Sequence, residues 1–356
     1  MNNRLERLRA AMEKHGLDAV ILNSITAIRY FSDFASDEAF VVVTKTRSLL
    51  VTDFRYTIDA KARSGDRFEI IEASGAKQLE IVRTALYDEN VKTVGFEDDC
   101  VSFSRYQDYA KFELTFVPFA KELSQLRIIK TPDEIASLQK AQDMADQAFI
   151  ELLKRIHSGM TEKRVAAELD YIGACLGSEG PSFDTIVGSG PNGAMCHAVP
   201  GDRKLQKGDL VVLDYGCLYN GYHSDMTRTF AVGEVDDFAK KIYNIVRTAQ
   251  AKALDAVRPG ITGKALDSIA RDYITEQGYG DCFGHSLGHG FGLLIHEAPR
   301  AAQTCETVLE EGMTITVEPG IYIEGRLGVR IEDCCVVTKD GKLDFCSSTK
   351  ELQHID

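Results

Sequence analysis

The sequence predicts an α+β protein of two domains, and three observations carry that reading. Its 356 residues exceed one ordinary domain of about 100–200 residues and suit two, with length enough to bury a sizeable core. A strong helix start at Thr131-Pro132-Asp133-Glu134 marks a change of organisation. Beyond it, a pattern of helix, helix and β-hairpin occurs twice. The expected domains are residues 1–125, a mixed α/β domain, and residues 126–356.

In the first domain, an amphipathic helix over Leu5 to His15 precedes a stop at Gly16. Apolar runs at Ala19–Leu22, Phe40–Thr44 and Ser48–Thr52, separated by polar breaks, read as strands. Asp53, Arg55 and Tyr56 form a polar cluster that reads as loop structure. No chemical motif stands out here.

After the boundary near Ile128–Lys130, Thr131 caps a helix with Pro at its first position and Glu at its third. Ile135, Leu138, Ala145, Phe149, Leu152 and Ile156 mark one apolar face to about His157. Gly159 stops this helix, and Thr161 opens another that runs to about Gly177. The punctuation then returns. Asp236–Val257 is a long helix ended by Pro259-Gly260, and Thr262 opens the next. Residues 159–165, GMTEKRV, match residues 260–266, GITGKAL, at Gly, Thr and Lys, with apolar residues at the second and last places. Downstream of each copy lies a strand–turn–strand unit carrying two acids, which makes the repeat more than a chance heptapeptide. Two such halves would pack around a shared pocket.

In the first unit the apolar strand Leu210–Leu213 ends on Asp214, and the chain returns through Asp225 after an Asn220-Gly221 turn. In the second, Thr314–Val317 ends on Glu318, and a turn near Gly325–Gly328 returns the chain through Glu332. Each hairpin would make its two acids neighbours. An unpaired carboxylate in an apolar setting is costly or changes its pKa. Four converging acids would repel one another unless cations sat among them, and two divalent ions would balance four carboxylates. The competing reading pairs the acids with Arg228, Arg330 or Lys204, but four acids in repeat-related positions weigh against it.

Three of the eight histidines, His285, His289 and His296, crowd into FGHSLGHGFGLLIHE, and His197 sits in a Gly-rich loop. Flanking glycines permit close backbone approach to a ligand. One imidazole with four carboxylates is an oxygen-rich donor set, which favours manganese, cobalt, iron or zinc in a paired arrangement over a structural zinc cage.

Composition bounds the remaining possibilities. Hydrophobic content of 44% and charged content of 27% are those of a soluble globular chain. A net charge of −13 disfavours nucleic acid or an anionic membrane as partner. No apolar run approaches the roughly 18 residues of a membrane span, and the charged N-terminus lacks the apolar stretch of a signal peptide. Nine cysteines without framework spacing indicate free thiols. The expected location is the cytoplasm.

The motifs LDYG…SDMTRTF, GHSLGHGFGLLIHEAP, VEPGIYI and GVRIED, in this order, resemble the prolidase and Xaa-Pro aminopeptidase family of "pita-bread" metallopeptidases. PSFDTIVGSGPNGA is similar too. The resemblance covers residues 130–350 closely, and the first 125 residues resemble, less specifically, the N-terminal domain of the prolidase and creatinase branch. It implies a pita-bread fold with an internal pseudo-twofold repeat and two divalent ions per chain, manganese first. Asp214 would hold one ion, Asp225 and Glu332 would bridge both, and His289 and Glu318 would complete the second site. The resemblance further implies that His197, His285 and His296 face substrate, that Arg330 stands next to a ligand and contacts substrate, and that the assembly is a homodimer. Two features depart from the family: Cys196 where many relatives have Pro, and Cys334-Cys335 after Asp333.

The implied reaction is hydrolysis of the Xaa-Pro bond in dipeptides, the substrate being a small peptide with proline second. Glu318 would carry the proton, and His296 and His285 would donate to the developing oxyanion. Arg300 could grip a dipeptide's terminal carboxylate, although a solvated loop arginine is the plainer reading of that residue. The runner-up is an Xaa-Pro aminopeptidase acting on longer peptides; a methionine aminopeptidase is disfavoured by the N-terminal domain. From another class come a metal-free creatinase-like hydrolase and a non-catalytic pita-bread binding protein, both of which should have lost ligands that this chain keeps.

Overall fold

The computed structural model describes residues 4–356, and the chain divides into compact units between Arg127 and Ile128. The first unit opens with α1 (Arg4–Lys14), β1 (Ala19–Leu22), α2 (Ile25–Ser32), β2 (Ala39–Thr44), β3 (Ser48–Thr52), α3 (Thr57–Ser64) and β4 (Glu69–Glu72). It continues through α4 (Ala76–Asp88), β5 (Thr93–Phe96), α5 (Phe103–Ala110), β6 (Thr115–Pro118) and α6 (Ala120–Ile128). One mixed sheet results, in the order β4-β3-β2-β1-β5-β6. β1, β2 and β3 are buried throughout, which is why they read as unbroken apolar runs rather than alternating ones. The Asp53, Arg55 and Tyr56 cluster is loop structure: Arg55 pairs with Asp53 just before α3.

The second unit contains α7 (Pro132–Leu153), α8 (Glu162–Cys175), β7 (Ile186–Ser189), β8 (Leu210–Tyr215), β9 (Leu218–Tyr219), β10 (Tyr222–His223) and β11 (Met226–Val232). Then come α9 (Asp237–Ala256), α10 (Gly263–Glu276), β12 (Gly288–Gly290), β13 (Glu297–Ala301), β14 (Thr314–Val317) and β15 (Gly320–Ile323). It closes with β16 (Leu327–Arg330), β17 (Asp333–Thr338), β18 (Gly341–Asp344) and β19 (His354–Ile355). At α7, Thr131 and Glu134 form a reciprocal capping box with Pro132 in the first turn. The apolar period runs on to Ile156, yet the helix ends at Leu153. Ile156 is still buried, 5% exposed, so its side chain serves the core from the loop. α8 likewise ends at Cys175, before Gly177, whose φ of +100° suits the exit from a helix.

The repeat is written in the backbone. Gly159 and Gly260 share a φ of +89°. Gly159 donates to Leu205 O and Leu205 returns a bond to Met160 O, while Gly260 donates to Leu309 O and Leu309 returns one to Ile261 O. Thr161 and Thr262 each accept from the third residue of the helix they cap. Each half carries its own core. α7 and α8 pack on β8 and β11, and α9 and α10 pack on the region of β14 to β17. No helix among the described residues is long and apolar enough to cross a membrane.

The cap at Thr131 supplies two of the orphan N–H partners of α7 with one side-chain pair. Thr131→Ala should lower stability by about 1 kcal/mol, read as a shifted urea midpoint with an unchanged slope.

Candidate metal centre

Both acid-bearing hairpins follow the expected plan, with a difference in detail. In the first, Asn220 and Gly221 take φ values of +50° and +71°, the left-handed pair a tight hairpin turn needs. β8 and β11 pair Thr227 with Asp214, and β9 and β10 keep the same register. That register sets Asp225 opposite Gly216, so Asp214 and Asp225 are diagonal neighbours. Gly216 is required there, since a Cβ would come within 1.9 Å of Ser224 O. In the second hairpin, β14 pairs Val317 with Asp333 and β15 pairs Gly320 with Arg330. The shared register puts Glu318 directly opposite Glu332, and the turn falls at 324–326 rather than reaching Gly328. His289 enters from β12. A Cβ on Gly288 would lie 1.9 Å from Thr316 O and one on Gly290 2.3 Å from Ala298 O, so the flanking glycines let β13 and β14 close on the strand that carries it.

All five side chains line one cavity of about 790 Å³, together with His197, His285, His296, Arg300 and Arg330. His289 Nε2 stands 3.5 Å from Asp225 Oδ2 and 3.4 Å from Glu318 Oε1. Ligating atoms of Asp225, His289 and Glu332 all lie within 4.8 Å of one another. Asp214 is the acid with an ionic partner, Arg330 at 2.5 Å. Thr227 donates to Glu332 at 2.7 Å and Thr316 to Glu318 at 3.2 Å.

The electrostatics are those of acids crowded beyond their compensation. Burial first, then Glu332, Asp214 and Glu318, hold the Asp225 carboxyl well above the ordinary carboxylate range. Burial and its acidic neighbours do the same to Glu332, and burial pushes Glu318 up to about 8. Asp214 Oδ1 and Glu332 Oε1 are buried without a hydrogen bond, a state that costs free energy unless something positive meets them. His289 Nδ1 lies 3.0 Å from Gly290 O. A carbonyl only accepts, so Nδ1 carries the proton and the bare Nε2 lone pair faces two carboxylates. Burial also lowers this imidazole to about 4, so it is neutral near pH 7. A lone pair aimed at carboxylate oxygens is repulsive, whereas a divalent cation between them would satisfy both and the orphaned oxygens as well. The donor set therefore fits divalent ions.

Two of the residues expected at the substrate are engaged in hydrogen bonds within the protein. His285 Nδ1 is 2.8 Å from Ser286 O, and its Nε2 is 2.9 Å from the Tyr322 hydroxyl. That hydroxyl accepts from Arg330 and so gives its proton to His285, leaving the ring no N–H for an oxyanion. Arg330 is no better placed as a substrate contact. It donates to Thr227 Oγ1, Cys196 O, Tyr322 and Asp214, four of the five N–H bonds a guanidinium has. It braces the site instead. His296, His197 and Arg300 face the cavity and are exposed.

Three contributors were not singled out as site residues in the sequence. Tyr322 joins Arg330 to His285, and its signal was its place four residues after Glu318 on the same hairpin. Glu162, fully buried at the start of α8, accepts from Ser189, Asn192 and Gly201 and so shapes the loop that carries His197. Asp267, fully buried in α10, accepts from Leu287 N and pairs with Arg271, which in turn grips His285 O. Phe183, Ile186, Val199 and Ile295 add an apolar wall.

A profile of metallopeptidase family M24 matches residues 136–339, and one of the creatinase/prolidase N-terminal domain matches residues 4–129. The chain belongs to metallopeptidase family M24. Similar M24 relatives include the Xaa-Pro dipeptidase of Pyrococcus furiosus, 40% identical over 99% of this chain and 100% of that protein. The solved Xaa-Pro dipeptidase from Bacillus anthracis superposes with a TM-score of 0.96 at 41% identity, over 99% of each chain. The X-Pro aminopeptidase from Thermotoga maritima gives 0.91 at 36% identity, over 97% of this chain and 100% of that one. M24 membership and these structures make the C-terminal unit a pita-bread fold behind a creatinase-type N-terminal domain, and divalent ions belong to its chemistry.

Tyr322→Phe removes the hydroxyl between Arg330 and His285. The expected loss is about 1 kcal/mol, read by urea denaturation; an unchanged midpoint would show that the bridge contributes nothing.

Proposed function

We propose that this protein is an Xaa-Pro dipeptidase that holds two divalent ions, manganese first with cobalt, zinc or iron as alternatives, on Asp214, Asp225, His289, Glu318 and Glu332. The observation that carries the proposal is the convergence of four carboxylates and a neutral imidazole, two carboxylate oxygens of them unpartnered, on the wall of one cavity. When bound, such ions polarise a carbonyl and activate water for attack.

The chain's own residues divide the rest of the work. Glu318, on the cavity wall, can take a proton from the attacking water and pass it to the leaving nitrogen of proline. His296 donates to the scissile carbonyl oxygen as charge develops there. His197 faces the peptide from the opposite loop. Phe183, Ile186, Val199 and Ile295 cover the pyrrolidine ring and keep water from it. Arg300, exposed at the cavity and without a hydrogen bond to its guanidinium among the described residues, offers two parallel N–H bonds to a terminal carboxylate. A free carboxylate next to proline is what distinguishes a dipeptide from a longer peptide, so Arg300 favours dipeptidase over the second reading, Xaa-Pro aminopeptidase. Similarity to the Thermotoga maritima aminopeptidase keeps that second reading in view. A metal-free creatinase-like hydrolase or a non-catalytic binding protein would leave the orphaned acid oxygens unexplained. The homodimer rests on family resemblance alone and is checked by sedimentation. Cytoplasmic residence is consistent with nine free cysteines.

The deciding experiment is a panel of Xaa-Pro dipeptides and Xaa-Pro-Pro tripeptides assayed with Mn, Co and Zn returned to stripped protein. Preferential cleavage of the dipeptides is expected; preferential cleavage of the tripeptides would replace dipeptidase by aminopeptidase, and no cleavage of either would defeat both. Asp225→Ala and His289→Ala should each leave a folded protein that is poor in metal and slower by about a thousandfold or more; normal turnover by either variant would refute the site. Protons supply a third check. Without cations, burial and mutual crowding raise the carboxyls of Asp225, Glu332 and Glu318, so ion uptake must release protons and affinity must climb as pH rises. Calorimetry in two buffers of different ionisation enthalpy should register that release, and buffer-independent heats would contradict it.

A further inference from the structure

The cavity's histidines are held in unlike ways. His285 is fastened through both ring nitrogens. The His296 ring makes no hydrogen bond among the described residues and meets the His289 ring edge-on, centroids 4.4 Å apart. Its position is therefore inherited from the backbone of the arm 291–297, which joins β12 to β13. That arm has one backbone hydrogen bond of its own, Gly292 N to Leu294 O at 2.9 Å.

Beneath the arm lies an ion pair, Lys130 Nζ to Glu297 Oε2 at 2.7 Å, with side chains 1% and 6% exposed. The other oxygen of Glu297 accepts from Leu294 N at 3.2 Å. One carboxylate thus closes the arm on itself and ties it to Lys130. Lys130 is itself anchored, since its N–H donates to Gly312 O at 2.8 Å and Ile129 bridges to Met313, at the foot of β14. β14 is the strand that ends on Glu318. Gly292 is shaped to the pair, because a Cβ there would stand 2.8 Å from Glu297 Oε2 and 2.9 Å from Lys130 Nζ. The carbonyl of Gly292 also accepts from His223 N at 2.8 Å, tying the arm to the hairpin of Asp225.

We propose that Lys130 and Glu297 are positioning residues, whose buried ion pair holds the arm so that His296 and Arg300 meet the peptide in register with the acid cluster. Neither residue lines the cavity, so neither touches substrate. A buried pair suits such a role because breaking it loosens the tie between the arm and the foot of β14. The identity of the substrate rests on the dipeptidase reading; the ordering of the arm does not.

The test uses the metal-loaded full chain as wild type, Lys130→Met, Lys130→Arg and Glu297→Gln, the last retaining an acceptor for Leu294 N. Amide exchange is followed over residues 291–297 and over residues 189–200, with metal content and hydrolysis of Leu-Pro measured in parallel. Lys130→Met and Glu297→Gln should speed exchange by about tenfold or more in 291–297 alone. They should lower kcat/KM by about tenfold to a hundredfold at unchanged metal content, and Lys130→Arg should recover most of both. Unchanged exchange in 291–297, equal loosening of both segments, or no recovery with Lys130→Arg would overturn the proposal. Wild-type protein inert toward Leu-Pro would sink the dipeptidase reading, while the exchange contrast would still decide the positioning role.

Discussion

Everything in the C-terminal unit answers to the mutual repulsion of four carboxylates confined within one wall. Arg330 neutralises Asp214, and Thr227 and Thr316 each offer a hydroxyl. That leaves Asp225, Glu318 and Glu332 undercompensated, and burial first, then this crowding, holds their carboxyls high. A fold that brings such groups together must gain elsewhere what it loses there. It does so with two dense apolar cores, one under each half, and the cations implied by M24 membership would turn the repulsion into coordination.

The pseudo-twofold repeat explains how one chain can build such a wall. Each half supplies a helix pair whose second helix starts at a bracketed Gly-x-Thr, and a hairpin whose strands carry acids at their break. The copies then diverge where chemistry requires it. Asp214 and Asp225 are diagonal, whereas Glu318 and Glu332 face each other. The first half uses Glu162 to hold the loop of His197, and the second uses Asp267 to hold the segment leading to His289. The imidazole beside the acids comes from the second half alone, between glycines that admit the neighbouring strands.

Burial decides which polar groups brace and which remain for substrate. Arg330 and His285 look like substrate contacts in a list of motif residues, yet their hydrogen-bonding capacity is consumed by Asp214, Thr227, Tyr322 and the backbone. His296 shares the histidine-rich motif with His285, and Arg300 follows just after it, yet these two are exposed at the cavity. Donor count, more than residue type, separates the two roles.

Much of this was legible in the linear sequence because it is local. Thr131, Thr161 and Thr262 announce helix starts through capping within three residues, and Asn220-Gly221 announces a hairpin through backbone conformation alone. Acids at the ends of apolar strands, duplicated by a repeat, identify a charge problem that demands a cation. The helix ends at Leu153 and Cys175 were less legible, since apolar residues beyond them still serve the core. What only the tertiary structure decided is long-range pairing: Tyr322 with His285, Glu162 with the 189–201 loop, Lys130 with Glu297. Those partners are 27 to 167 residues apart in their pairs, and no periodicity or cap records a contact whose energy exists only after the strands between have packed.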